Sequence, residues 1–169
     1  MAPSFDWSRF RLGIHVQATP TRVYRALATA SGMEKWYPNR ATFHNKTGKK
    51  RLRTELARKG DSVYMWLVYG GGADGTLKVL DARKDRMLKM TFGSAGRIWF
   101  TLRKSGGGTV LELIQHRIPT TPRARVDFHM GCRTGWTFFL TNLKSVMEKG
   151  PDLRESDSLR ITKTFLVNM

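Results

Sequence analysis

The sequence predicts an α+β fold in which a curved antiparallel sheet wraps around one long C-terminal helix, with two short helices after the first strand. The period of the apolar residues carries this prediction. It is two over residues 41–119, as in antiparallel strands, and 3.6 afterwards, as in a helix. The apolar face of such a sheet needs cover. At about 1.5 Å per residue, the predicted helix is roughly 35 to 40 Å long and can supply it.

The first three elements lie in the N-terminal quarter of the chain. Residues 10–16 alternate apolar and polar side chains, which predicts a strand with one buried face. Thr19 and Pro20 form a capping residue followed by a proline in the first helical turn, so a helix is predicted for residues 20–29. A second short helix, residues 31–36, should end at Tyr37 because the following Pro38 disfavours helical backbone there.

The middle of the chain is predicted to form a meander of antiparallel strands separated by turn clusters rich in Gly, Asp and Ser. The strands are placed at residues 63–69, 76–81, 87–92, 97–104 and 110–118. Residues 49–59 fit either a helical turn or a strand edge. Residues 70–75 have the spacing G-x-G-x-x-G, but a strand follows where a dinucleotide site needs a helix, so a hairpin loop is predicted.

The long helix should begin between Pro122 and Asp127 and end at Lys149, before the stop signal Gly150-Pro151. One apolar stripe runs along it at helical spacing. The stripe consists of Cys132, Trp136, Phe139, Leu140, Leu143, Val146 and Met147. The length of 169 residues indicates one domain, assigned to residues 1–155. Residues 156–169 are interpreted as a C-terminal tail, with a last strand at 159–167 as an option.

Composition restricts the class of protein. Hydrophobic residues make up 40% and charged residues 25%, which is typical of a folded globular domain. Cys132 is the single cysteine, so no intramolecular disulfide framework is expected. There is no secretory leader pattern and no run of 18 apolar residues, so the protein is expected in the cytoplasm. The four histidines lack metal-site spacing, and neither a metal nor a cofactor is predicted.

Several short motifs resemble one known family. They are Ala18-Thr19-Pro20 with Val23-Tyr24 and Ala26-Leu27, then Trp36, Gly75, Leu88 with Phe92, Gly108-Thr109, and the stretch from Gly131 to Lys144. Together with the order of elements, they resemble the activator of heat-shock-protein-90 ATPase homologue-like branch of the START-related (SRPBCC) helix-grip superfamily. The resemblance covers residues 10–154. It implies a helix-grip fold that encloses an apolar cavity, and it implies no particular reaction.

The strand and helix patterns predict the wall of such a cavity. Gly131 and Gly135, one turn apart, predict a hollow between helix and sheet, although small residues also permit tight packing. Alternation along the strands points one set of side chains towards the helix, and in the superfamily such a set encloses a hydrophobic ligand. The predicted ligand-binding residues are Trp36, Tyr64, Trp66, Met90, Phe92, Phe100, Gln115, Cys132, Trp136 and Phe139. Gln115 would orient the ligand by hydrogen bonding. The alternative is that these residues simply fill the core.

The net charge of +17 is concentrated in one stretch. A predicted basic surface comprises Lys46, Lys49, Lys50, Arg51, Arg53, Arg58 and Lys59. Such a surface attracts acidic proteins, nucleic acid or anionic membranes, and it also serves plain solubility. Nucleic acid is not expected as the partner, because no RNA-recognition, zinc-finger or helix-turn-helix signature accompanies the charge. No transmembrane segment is predicted, and the oligomeric state is left open.

The leading functional hypothesis is a protein that binds a small hydrophobic or amphipathic ligand between sheet and helix without catalysing a reaction. The first alternative is a protein-interaction or co-chaperone-like module that uses the basic surface. The second alternative is an enzyme of the cyclase or hydrolase type. It would need a polar constellation drawn from Gln115, Arg117, His129 and Cys132. The spacing of His129 and Cys132 would let the histidine activate the thiol if Asp127 oriented it, but the favoured interpretation is a buried, inert cysteine.

Overall fold

The fold is known from a computed structural model, which describes residues 5–67, 76–157 and 160. The elements are β1 (Arg9–Val16), α1 (Pro20–Ala28), α2 (Ala30–Met33), β2 (Arg40–His44), β3 (Ser62–Trp66), β4 (Leu77–Arg83), β5 (Met87–Thr91), β6 (Arg97–Ser105), β7 (Gly108–His116), α3 (Pro122–Ala124), a π-helical segment (Arg125–Met130) and α4 (Gly131–Met147). This order confirms the predicted α+β, helix-grip architecture. The predicted hairpin loop at 70–75 and nearly all of the optional strand at 159–167 lie outside the described residues.

The seven strands form one sheet in the order β1-β7-β6-β5-β4-β3-β2, and every neighbouring pair is antiparallel. The first and second strands of the chain are therefore the two edges. The link between β3 and β4 is short, with only the pairs Ser62↔Lys78 and Val63↔Leu77. A β-bulge between Val79 and Asp81 shifts the register of β4 against β5.

Threonine side chains cap the short helices and fix their starts. The hydroxyl of Thr19 accepts from the backbone N–H of Arg22, and that of Thr29 accepts from the backbone N–H of Gly32. Gly32 itself has no room for a side chain, since a Cβ there would lie 2.2 Å from the carbonyl oxygen of Arg25. The two helices are thus held against each other at one end of the sheet.

The inner face of the sheet and α4 form the hydrophobic core, as the strand alternation predicts. Six side chains from β5, β6 and β7 are at most 1% exposed: Leu88, Met90, Ile98, Phe100, Leu111 and Leu113. From α4, Trp136, Leu140 and Leu143 pack against them. Burial of so much apolar surface makes this layer the main source of stability in the fold.

One strand was predicted with the wrong phase. Val63 and Met65 of β3 are buried, whereas Tyr64 is 39% and Trp66 43% exposed. The predicted inward orientation of Tyr64 and Trp66 is therefore wrong. Every residue from 63 to 67 is apolar or aromatic, so alternation alone does not fix which face is buried. The phase is set by pairing with β2, a strand that the sequence analysis did not predict.

Two further segments differ in detail from the prediction. Residues 49–59 form neither a regular helix nor a strand, apart from one isolated bridge between His44 and Lys50. The C-terminal helix begins at Pro122 as predicted, but a π-helical segment interrupts it before the regular α4. The regular part ends at Met147, two residues before the predicted end at Lys149.

Candidate functional site

An aromatic cluster surrounds Trp136 where α4 faces the sheet. The ring centroid of Trp136 lies 4.8 Å from that of Tyr37, 5.4 Å from that of Phe92 and 5.8 Å from that of Phe100. Phe139, one turn further along the helix, lies 4.7 Å from Tyr37 in an edge-to-face arrangement. These contacts join the loop after α2, two strands and the long helix into one wall of aromatic rings.

A fully buried amide lies at the centre of this cluster. Gln115 of β7 is 0% exposed. Its Oε1 accepts a 2.9 Å hydrogen bond from the indole Nε1 of Trp136, and its Nε2 donates a 2.9 Å hydrogen bond to the carbonyl of Ala95. The bond to Ala95 holds the amide in place, and the amide in turn fixes the orientation of the indole. Both bonds matter because a buried polar group without a partner is costly. Gln115 therefore points towards the helix, as predicted.

Two further polar groups lie near this amide. Burial holds the pKa of the Tyr37 hydroxyl well above its usual range, and the neighbouring Cys132 thiol adds to that effect. Among the described residues, no hydrogen-bond partner of the Tyr37 hydroxyl is found. Burial also raises the pKa of the Cys132 thiol, although a hydrogen bond with the Gln115 side chain opposes the shift. Both groups are thus neutral near pH 7 and act as hydrogen-bond donors.

Partly exposed apolar side chains lie between this polar centre and the surface. Phe92, Phe128, Cys132 and Phe139 pack against the core but are not fully buried. Gly135 lies on the same flank of α4, next to Phe139 on the helical wheel. A Cβ built on Gly135 would meet no atom within 4 Å, so the space beside it is open. This flank is where the aromatic cluster comes closest to solvent.

The structure brings together most of the predicted wall residues. Phe92, Phe100, Gln115, Cys132, Trp136 and Phe139 belong to the cluster or contact it, while Met90 and Trp36 lie in the adjoining core. The indole of Trp36 is already engaged, since it donates to the carbonyl of Ala26. Tyr64 and Trp66 lie on the opposite face of the sheet. The role of the set in ligand binding stays a prediction.

Sequence reasoning missed Tyr37. The residue was interpreted only as the end of a short helix before Pro38. Its ring is 6% exposed and contacts Trp36, Trp136 and Phe139. The pair Trp36-Tyr37 next to a proline is a signal for a buried aromatic turn, but only the tertiary structure shows that it faces the long helix.

The predicted pairing of His129 with Cys132 does not form a reactive site. His129 is 2% exposed, and its Nε2 donates a 3.1 Å hydrogen bond to the carbonyl of Arg9. Its ring packs against the aromatic rings of Phe5, Trp7 and Phe10. The imidazole is thus engaged away from the thiol, whose raised pKa disfavours the nucleophilic thiolate. Within the described ranges, no group of three or more His, Cys, Asp or Glu residues could hold a metal ion.

The predicted basic surface separates into two sets. Arg51 is nearly buried and forms ion pairs with Asp61, whose side chain is 1% exposed, and with Glu55. Arg53 pairs with Glu34, and Arg58 lies 3.7 Å from Glu55. The assignment of Arg51 to a free surface is therefore wrong. Four exposed lysines have no ion-pair partner among the described residues: Lys46, Lys49, Lys50 and Lys59.

Comparison with known proteins identifies the family. A family model described as activator of Hsp90 ATPase homolog 1-like protein matches residues 17–148. The chain therefore belongs to this family, as the sequence motifs and the element order indicated. A comparison with curated proteins gave no match. In the described part of the chain, no helix has the length and apolar character needed to span a bilayer.

Solved structures share the fold at low sequence identity. The solution structure of the Aha1 dimer from Colwellia psychrerythraea has a TM-score of 0.65 and 22% identity, covering 84% of this chain and 97% of that one. A crystal structure of a protein from Staphylococcus saprophyticus has a TM-score of 0.68 and 17% identity, covering 86% and 96%. One from Chromobacterium violaceum has a TM-score of 0.59 and 23% identity, covering 86% and 99%.

Proposed function

We propose that the chain binds a small hydrophobic or amphipathic ligand between the inner face of the sheet and α4, without catalysing a reaction. The observation that carries the proposal is the neutral hydroxyl of Tyr37, which has no hydrogen-bond partner among the described residues and lies in an otherwise apolar layer beside Cys132. Buried polar groups with free hydrogen-bonding capacity are costly unless something satisfies them. A ligand with an apolar body and one polar end would do so.

We infer that the ligand enters along the partly exposed flank of α4. Trp36, Met90, Phe100 and Trp136 are at most 3% exposed, so the deep layer is closely packed. Phe92, Cys132 and Phe139 are only partly buried, and the space beside Gly135 is open. The ligand body therefore lies against this flank, while its polar end reaches the hydroxyl of Tyr37. Rotation of the partly exposed phenylalanine rings provides the volume that the packed core lacks.

Native mass spectrometry tests this proposal directly. The protein is purified from its own host and analysed under non-denaturing conditions. The expected result is a complex with an apolar or amphipathic molecule, which is then identified after denaturation. A homogeneous apo mass, together with failure to bind added dodecanoate in a titration, would contradict the proposal.

A matched pair of tryptophan variants locates the site. Trp136→Phe removes the indole N–H that binds Gln115 while keeping an aromatic ring, and it should weaken dodecanoate binding by about tenfold, the worth of one hydrogen bond. Trp66→Phe makes the same chemical change on the opposite face and should leave the affinity unchanged. Tyr37→Phe removes a hydroxyl that has no hydrogen-bond partner in the part of the chain that the structure describes, so it should weaken binding without destabilising the fold. Equal affinities for all three variants would place the ligand elsewhere.

A protein-interaction role is the second candidate. The family description names an activator of a chaperone ATPase. On this chain, four exposed lysines that have no ion pair within the described ranges form a basic surface. We infer that this surface, Lys46, Lys49, Lys50 and Lys59, would dock on an acidic face of a chaperone of the Hsp90 type. The test is salt-sensitive binding to the purified chaperone that is lost in a Lys46→Ala, Lys49→Ala, Lys59→Ala variant. An unchanged affinity in that variant would remove this candidate.

A further inference from the structure

The outer face of the sheet carries a row of eight polar residues that crosses it from edge to edge. Four of the eight, Lys50, Lys78, Arg97 and Arg9, are permanently charged and are called the row of cations below. Residues directly opposite each other in neighbouring antiparallel strands point to the same face. The pairings place one row of residues side by side, running from the β2 edge to the β1 edge. Between β4 and β5 the row is joined by a 2.8 Å hydrogen bond from the backbone N–H of Lys78 to the hydroxyl of Thr91. That row is Lys50, His44, Ser62, Lys78, Thr91, Arg97, His116 and Arg9. Because neighbouring strands are about 4.8 Å apart, the row is roughly 30 Å long.

Acidic groups offset part of this charge near the β1 edge, where Asp6 pairs with Arg9 and Glu112 pairs with Arg11. Asp81 lies opposite Lys89 in the β4–β5 pairing. Lys50, Lys78 and Arg97 have no ion-pair partner among the described residues. Lys89 and Arg97 both lie close enough to His116 to act on it: burial lowers the pKa of His116, and Arg117, Arg97 and Lys89 lower it further. The imidazole thus senses a positive electrostatic potential on this face of the sheet, which a polyanion would neutralise.

A groove of about 440 Å³ lies at the β2 end of the row and combines charge with an aromatic surface. Its lining consists of Arg40, Thr42, His44, Lys50 and Trp66. Arg40 lies directly opposite Trp66 in the β2–β3 pairing. Trp66 is 43% exposed and stacks on Tyr64, with centroids 6.5 Å apart and an interplanar angle of 24°. The Nδ1 of His44 is buried and has no hydrogen-bond partner among the residues that the structure describes.

The second tryptophan of this face differs from Trp66 in one respect. The ammonium group of Lys89 lies 4.3 Å from the ring centroid of Trp99, and His116 contacts the same ring at 4.1 Å. Trp99 is thus engaged within the protein. Trp66 has no cation over its ring among the described residues, and it is the aromatic surface available to a ligand.

We propose that the outer face of the sheet binds single-stranded nucleic acid, with one base stacked on Trp66 in the groove and the phosphates following the row of cations. Sequence-independent single-strand binders combine these two features, a positive track for the backbone and aromatic side chains for the bases. Arg40 and Lys50 flank the stacked base and contact its phosphates.

A single strand fits this surface better than other polyanions. In a duplex the bases are stacked on each other, and their faces are not available to Trp66. A lipid headgroup or an acidic peptide would satisfy the cations but leave the stacked aromatic pair unused. The sequence analysis expected no nucleic-acid partner because no recognition signature accompanies the basic stretch. The row of cations leaves no such signature, since its residues lie between positions 9 and 116 and only the sheet register aligns them.

Fluorescence anisotropy with labelled oligothymidylate tests the proposal. An oligonucleotide of about 16 nucleotides is long enough for a site of this type. The expected result is salt-dependent binding, with heparin as the polyanion that has no bases. Trp66→Ala should weaken oligothymidylate binding by about tenfold or more and leave heparin binding unchanged. Lys78→Ala should weaken both and reduce the salt slope by about one.

The control is Lys35→Ala, which removes an equal charge at an exposed position on the helical side of the molecule. It should change neither affinity. An equal loss of affinity in Lys35→Ala and Lys78→Ala would show that binding depends on net charge alone, and it would overturn the proposal. An unchanged affinity of Trp66→Ala for oligothymidylate would also overturn it. Tighter binding to duplex DNA or to anionic vesicles would overturn it as well. Competition by thymidine monophosphate at the same concentration as the oligonucleotide would assign the groove to a free nucleotide instead of a strand.

Discussion

The two faces of one sheet carry opposite chemistry. The inner face is apolar and closely packed against α4, and its few polar groups, such as Gln115, are hydrogen-bonded inside the protein. The outer face has exposed aromatic rings next to cations, as at Trp66 and Arg40. The same strands supply both, because successive side chains of a strand point to opposite faces. Adjacent residues in one strand therefore have different roles: one stabilises the core and the next forms the surface.

The sharpest test of this comparison is the same substitution on each face. Trp136→Ala removes a 3% exposed side chain and the hydrogen bond to Gln115, and it should lower the free energy of unfolding by about 3 to 5 kcal/mol. Trp66→Ala removes a 43% exposed side chain and should cost less than about 1 kcal/mol. Urea denaturation followed by circular dichroism measures both. Equal losses would mean that the faces do not differ in packing.

A second pair of variants distinguishes a structural cation from a surface cation within residues 46–59. Arg51→Ala leaves the buried carboxylate of Asp61 without its ion-pair partner and should cost about 3 kcal/mol of unfolding free energy. Lys50→Ala removes an exposed charge one residue earlier and should change stability by no more than about 0.5 kcal/mol. Thermal denaturation of the two variants distinguishes them. A destabilised Lys50→Ala beside a stable Arg51→Ala would reverse the assignment.

The reactivity of Cys132 probes the inner face without a substitution. Burial raises the pKa of its thiol from the ordinary value of 9.0, so the thiolate fraction at neutral pH is small. Alkylation by iodoacetamide should therefore be slower than that of a free thiol, and its rate should still be rising above pH 9. Dodecanoate should slow the reaction further by covering the flank of α4. A fast reaction at neutral pH would show that the Cys132 thiol is accessible and largely ionised, which contradicts this account.

The smallest expected effect is the pH response of His116 on the outer face. Burial and neighbouring cations lower its pKa below the ordinary 6.5. The folded protein binds this proton less tightly than the unfolded chain, so unfolding takes up a proton as the pH falls below 6.5 and stability decreases there. His116→Gln should reduce this loss between pH 6.5 and the lower pKa of the folded state. Identical stability profiles of the wild type and the variant over that range would contradict the shift.

The fold could be predicted from the sequence because its two periods are clear. The alternation in β5 to β7 and the helical stripe from Cys132 to Met147 are strong local signals, and they placed Gln115, Trp136 and Phe139 correctly. The phase of β3 could not be predicted, since all residues from 63 to 67 are apolar or aromatic and only the pairing with β2 selects the buried face.

The remaining misses concern contacts between residues distant in sequence. The stretch around Arg51 was interpreted as surface charge because its main partner, Asp61, lies ten residues away and is buried by the fold. Tyr37 was missed because its contacts with Trp136 and Phe139 join residues about a hundred positions apart. The row of cations on the outer face likewise depends on sheet register, which local patterns do not determine.

Nuclear magnetic resonance of the tryptophan indole groups tests the central claim most directly, because each face carries its own indole. The ¹⁵N-labelled protein is titrated with dodecanoate, and the indole resonances are assigned with single Trp→Phe variants. A ligand bound between sheet and helix should shift the Trp136 resonance, whose N–H binds Gln115, and leave that of Trp66 in place. A shift of Trp66 with Trp136 unchanged, or no shift of either at saturating dodecanoate, would contradict the proposed ligand site.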